Sequence, residues 1–87
     1  MDLQDKVAFI TGGASGLGRA TAENFIKDGA KVMVFDLNAE TAEQAAAELG
    51  ANASFAAGDV ADEDAVRAAV QKTVETFGGL HINVNSA

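Results

Sequence analysis

Lys6-Val7-Ala8-Phe9-Ile10-Thr11-Gly12-Gly13-Ala14-Ser15-Gly16-Leu17-Gly18 is the stretch whose reading decides the fold. Val7 to Ile10 is an unbroken apolar run, too short for a helix and followed closely by glycine, and it reads as a buried strand. The glycine-rich turn comes next, and a helical pattern starts inside it, near Gly16. Strand, glycine turn and helix start together make an anion site. Glycine lets backbone pass close to a phosphate, and a helix N-terminus offers free N–H groups and partial positive charge.

The spacing narrows the choice of anion. A P-loop needs G-x-x-x-x-G-K-[ST]. Gly13 and Gly18 fit its glycines, but Arg19 and Ala20 stand where the lysine and hydroxyl belong. No side chain is placed for magnesium, which argues against a nucleotide triphosphatase. The common dinucleotide pattern G-x-G-x-x-G is also missing, because Thr21 stands where its third glycine would be. What remains is T-G-x-x-x-G-x-G over Thr11 to Gly18. Taken alone, this could also be a strand–helix turn with no ligand.

Composition sets further bounds. The chain has 87 residues, so it is one small domain, 1–87, with a real but modest core. It has no cysteine, hence no disulfide framework and no thiolate metal site. A net charge of −7 disfavours nucleic acid and anionic membrane as partners. Asp2 and Asp5, without a long apolar run, argue against a signal peptide or membrane helix. A cytoplasmic location is the expectation, with a mitochondrial one left open.

Downstream, strands and helices alternate. A first helix runs from about Gly16 to Asp28, with Leu17, Ala20, Asn24 and Phe25 on one face and Ala22 and Ile26 beside it; Gly29 stops it. Lys31 opens a second buried strand, Val32-Met33-Val34-Phe35, closed by Asp36. Asn38 is a good N-cap for a second helix, whose buried face is Ala42, Ala45, Ala46 and Leu49 and whose stop is Gly50. Ala53 to Ala57 is a weaker third strand. Asp62, Glu63 and Asp64 open a third helix, as cap and dipole complement rather than metal ligands. Its apolar stripe is Ala65, Val66, Ala69, Val70, Thr73, Val74 and Phe77, and Gly78-Gly79 ends it. Leu80 to Ala87 reads as a fourth strand. The lone histidine, His81, opens it at the end away from the glycine loop and reads as a surface residue. Asn83 interrupts its apolar pattern. Buried without partners, that amide would cost about 1–3 kcal/mol; strand four is a sheet edge in this short chain, where Asn83 is expected to meet water.

Buried strands alternating with helices require a parallel sheet with right-handed crossovers. For four such strands the doubly wound order is 3-2-1-4, with ligand at the carboxyl ends near the switch point. The glycine loop, Asp36, Asp59 and Asn85 all belong to those ends. Asp36 lies about 20 residues beyond the glycines, where an acid accepts hydrogen bonds from adenosine ribose hydroxyls. It would repel a ribose 2′-phosphate by roughly 4 kcal/mol at about 4 Å and surface-like dielectric, before screening. Leu37 follows it rather than arginine, and Ser15 rather than a basic residue sits in the loop, so NAD is favoured over NADP. Read without a ligand, Asp36 would simply end a strand.

Thr11 to Gly18 resembles the cofactor loop of the short-chain dehydrogenase/reductase family, and the resemblance extends over essentially the whole chain. It implies a Rossmann-like α/β fold, truncated relative to the full family fold, and an NAD(H) site. Gly12, Gly16 and Gly18 would form the loop, with Ser15 and Leu17 meeting the pyrophosphate and nicotinamide side. Asp36 and Leu37 match the NAD-selecting position. Asp59 and Val60 would border adenine, and Asn85, Ser86 and Ala87 resemble the start of the family's Asn-Asn-Ala-Gly motif. Thr11 to Gly18 together with Phe35-Asp36-Leu37 looks most like the branch of type-2 3-hydroxyacyl-CoA dehydrogenases.

The family transfers hydride between nicotinamide and an alcohol or carbonyl, using a downstream serine, tyrosine and lysine. This chain has no tyrosine. Lys6, Lys27, Lys31 and Lys72 do not match the family's lysine, so no catalytic residue is assigned. The expected role is therefore the cofactor-binding portion of such an oxidoreductase, without turnover of its own. The alternative is a non-catalytic nucleotide-binding or protein-interaction module, self-associating or pairing through its fourth strand.

Overall fold

The computed structural model describes residues 2–86. Four strands, β1 (Val7–Thr11), β2 (Lys31–Asp36), β3 (Ala53–Ala57) and β4 (Ile82–Asn85), alternate with three helices, α1 (Gly16–Lys27), α2 (Ala39–Leu49) and α3 (Glu63–Phe77). The strands form one parallel sheet in the order β3-β2-β1-β4, as expected for a Rossmann-like fold. Because alternate residues of a strand face opposite ways, β1 and β2 feed two cores. Ala8, Ile10, Val32 and Val34 face α1 and α2, while Phe9, Met33 and Phe35 face α3. Both central strands are covered on both faces, which is why they read as continuous apolar runs.

The helix ends follow from local chemistry. Asn38 Oδ1 accepts from Thr41 N at 3.0 Å and starts α2. Asp62 Oδ1 accepts from Asp64 N at 3.0 Å and Ala65 N at 3.2 Å and starts α3, so Asp62 acts as a cap. Asp62→Ala is expected to lower stability by about 1 kcal/mol. A urea midpoint shift with unchanged slope would register it.

Three expectations need correction. The buried face of α1 is Gly18 and Ala22, flanked by Phe25 and Ile26. Leu17 is 77% exposed, and Ala20 and Asn24 are also at the surface. The helix approaches the sheet so closely that residues with little or no side chain occupy the contact. On α3, Val74 is 45% exposed, at the margin of the stripe. The fourth strand is shorter than Leu80 to Ala87. Leu80 packs against the α3-side core, and Ser86, just past the strand, still donates to Thr11 O through its N at 3.2 Å and its Oγ at 2.7 Å. Ala87 lies outside the described residues.

His81 is exposed but tied. Its Nδ1 accepts from Val7 N at 3.0 Å, and its own N donates to Val7 O at 2.9 Å. These bonds fasten β4 to β1 at the end of the sheet away from the glycine loop. Asn83 is exposed on the outer strand, so no desolvation cost arises.

Arg19 Nη1 donates to Glu48 Oε1 at 3.0 Å and joins α1 to α2. The Arg19 guanidinium, and next the Gln44 amide, hold the Glu48 carboxyl below the usual range. A carboxyl with a lowered folded-state pKa contributes stability above its unfolded value and loses it as pH falls through its folded value. The site is exposed, so the contribution is small. The stability gap between the native chain and Glu48→Gln is expected at neutral pH and should close as pH falls past about 4. Denaturant midpoints at several pH values would show it. No helix among the described residues is long and apolar enough to cross a membrane.

Candidate dinucleotide site

The carboxyl ends of β1, β2 and β3, with the loops that follow them, bound a cleft of about 200 Å³. Gly12, Asp36, Leu37, Gly58, Asp59 and Val60 line it. The cleft is smaller than the roughly 300–1,000 Å³ typical of sites that enclose a whole drug-sized ligand. It suits one end of a dinucleotide. Leu37 (73% exposed) and Val60 (48% exposed) present apolar surface to solvent at this cleft. Paired apolar walls around an open slot suit a flat heteroaromatic ring.

Asp36 sits where β2 ends. Its Oδ1 accepts from Leu37 N at 2.8 Å, and its Oδ2 accepts from Ala14 N at 3.2 Å. The same carboxylate therefore faces the cleft and braces the glycine loop. Asp59 shapes the opposite rim, with Oδ1 accepting from Ala61 N at 2.9 Å and its carbonyl accepting from Asp62 N at 2.9 Å.

The second part of the site is the start of α1. Ser15 is its N-cap by backbone conformation but makes no side-chain cap bond, and no acid lies in the first turn. Helices α2 and α3 have both features. The start of α1 thus carries no side-chain cap and no acid of its own, which leaves its first-turn N–H groups suited to a phosphate. Gly18 lies where the chain crosses itself. A Cβ there would strike the Gly12 carbonyl oxygen and come within 2.5 Å of Ser86 Oγ. Ser86 Oγ in turn donates to Thr11 O at 2.7 Å, and Thr11 Oγ1 donates to Asn85 Oδ1 at 3.0 Å. These contacts lock β4 to the loop after β1.

Of the residues singled out in the sequence, Gly12, Asp36, Leu37, Asp59 and Val60 line the cleft together. Ser15, Gly16 and Leu17 are exposed at the start of α1, while Gly18, Asn85 and Ser86 form the packed crossing beside it. Two contributors were not singled out. Gly58 lines the cleft, and its absent side chain leaves room for the Phe35 ring, 3.1 Å from where a Cβ would stand. Ala14 contributes only its N–H, which no side-chain pattern could signal.

A family model described as short chain dehydrogenase matches residues 6–87. The chain belongs to the short-chain dehydrogenase family. It is 48% identical to the 2,5-dichloro-2,5-cyclohexadiene-1,4-diol dehydrogenase LinX of Sphingobium indicum, with 98% of this chain and 35% of that protein covered. It is 45% identical to the 3-hydroxyacyl-CoA dehydrogenase type-2 of Drosophila melanogaster, covering 98% of this chain and 33% of that protein. Among solved structures, the 3-ketoacyl-(acyl-carrier-protein) reductase from Brucella melitensis, complexed with NADH, superposes with a TM-score of 0.91 at 41% identity. That match covers 94% of this chain and 34% of that one. This short-chain dehydrogenase chain thus spans about a third of the length of the relatives it matches. They include the branch that its glycine loop and Phe35-Asp36-Leu37 resemble.

Proposed function

We propose that the chain binds NAD(H), in preference to NADP(H), as the cofactor-binding portion of an oxidoreductase that interconverts an alcohol and a carbonyl. The observation that carries this reading is the Asp36 carboxylate on the wall of the cleft, between the glycine loop and Leu37. An acid there accepts ribose hydroxyls and repels a 2′-phosphate. The residues present fit the group: an uncapped helix start for the pyrophosphate, an acid for the ribose and two exposed apolar side chains for the ring.

Leu37, Asp59 and Val60 would hold adenine, Asp36 its ribose, and the N–H groups at Ser15 to Gly18 the pyrophosphate. Asn85, Ser86 and Ala87 would pass the second ribose. The bound nicotinamide supplies hydride chemistry. The chain's own contribution is to hold and orient it. No tyrosine is available to exchange a proton with substrate oxygen, so the isolated chain is expected to bind without turning over.

A thermal melt with and without NADH or NADPH tests the reading. Ligand at about 100 times its dissociation constant adds roughly 2.7 kcal/mol to the folded state. For a domain of this size that raises Tm by about 11–22 °C. A rise with NADH and little with NADPH is expected. Equal rises would overturn the preference, and no rise with either would overturn the binding role.

A further inference from the structure

Among the described residues the sheet has two outer strands, β3 and β4. Val32 N donates to Asn52 O at 2.8 Å, and Gly58 N donates to Asp36 O at 3.0 Å. Even-numbered residues of this stretch therefore turn their peptide groups toward β2. Since the pleat alternates, Ala53, Phe55 and Ala57 turn theirs outward. Ala53 N is already taken up by Gly50 O at 3.1 Å. At the middle of the open side, the Phe55 carbonyl accepts a hydrogen bond from Lys72 Nζ.

The path of that lysine is informative. Lys72 belongs to α3, which covers one face of the sheet. The Phe55 ring belongs to the opposite face, packed with the α1 and α2 core. Lys72 Nζ nevertheless lies 4.7 Å from the Phe55 ring centroid. The side chain passes round the edge of the sheet and holds its ammonium across it, fixed by a carbonyl on one side and a ring on the other.

We propose that Lys72 closes the β3 edge against strand addition, and that the partner it excludes is a second copy of this chain, pairing β3 to β3 antiparallel across a twofold axis. Ala53-Ser54-Phe55-Ala56-Ala57 has no charge and no proline, so the strand itself carries nothing that discourages pairing. An isologous pair centred on Phe55 would displace both ammonium groups from their carbonyls and bring them together. Like charges opposite one another oppose such a ladder.

The test compares the native chain with Lys72→Met, which keeps the length and helix preference, and Lys72→Arg, which keeps the charge. Sedimentation over a concentration series is combined with amide exchange at Phe55 and Ala57. In the native chain the Phe55 amide is expected to exchange fast at every concentration. In the methionine variant, mass should climb toward twice that of the native species, and exchange at Phe55 should slow in step. The arginine variant should behave as native. A methionine variant no more associated than the native chain overturns the proposal, as does association that leaves Phe55 exchange unchanged. Concentration-dependent protection of Phe55 in the native chain also overturns it, and that arm stands even if the methionine variant fails to fold.

Discussion

Gly18→Ala is expected to cost about 3 kcal/mol and to abolish any stabilisation by NADH. The added methyl would strike the backbone carbonyl of Gly12, not the end of a movable side chain. Overpacking of this kind typically costs about 1–3 kcal/mol, and a backbone obstacle belongs at the upper end. At this chain length the loss should lower Tm by roughly 12–24 °C. Gly16→Ala is the informative comparison. A Cβ there meets nothing within 4 Å, but φ is +57°. Its cost is the left-handed conformation alone, about 1–2 kcal/mol. If Gly18→Ala melts no lower than Gly16→Ala, the close crossing of α1 over Gly12 is not what fixes the loop.

Phe35→Ala should be the most damaging change in the core, at about 3–5 kcal/mol. Phe35 is fully buried, and its ring lies 5.5 Å from that of Phe9. It also underlies Gly58, which lines the cleft. A cavity here would thus weaken the core and loosen the cleft wall together. Phe35→Leu, with a smaller volume loss, should recover much of the stability. Denaturant midpoints with and without NADH would separate the two effects. If Phe35→Ala binds NADH as tightly as the native chain once both are folded, the ring does not support the wall.

Much of this architecture is legible in the sequence because each signal has one local cause. Val7–Ile10 and Val32–Phe35 are apolar on both faces, and only a central parallel strand places such residues. Asn38 and Asp62 mark helix starts because their short side chains reach back to free N–H groups. The face of α1 differs from the expectation for an equally physical reason. Its contact with the sheet is made by Gly18 and Ala22, which carry almost no hydrophobic signal, whereas Leu17 carries a strong one and is exposed. Close approach is invisible to a pattern that weighs apolar side chains. The Ala14–Asp36 bond was hidden because its donor is backbone. The position of Asp36 in the sequence suggests a ribose partner, but its hold on the loop depends on how β1 and β2 are set side by side.

The fastening of β4 to β1 has a consequence for how the protein comes into being. Val7 bonds to His81 and Thr11 to Ser86, partners 74 and 75 positions apart along the chain. Its other neighbour, β2, is within reach early in synthesis. The second, β4, must wait until the chain as far as His81 to Ser86 has been made. Contacts of such long separation form late, because loop closure opposes them until other structure has shortened the path. Ser86 sits at that seam and also beside Gly18, so the crossing at the glycine loop should close only after β1, β2 and β3 are in place. A nascent chain stalled before Asn85 emerges would hold β1, β2 and β3 side by side, yet lack the Ser86 hydroxyl that ties the crossing to Thr11.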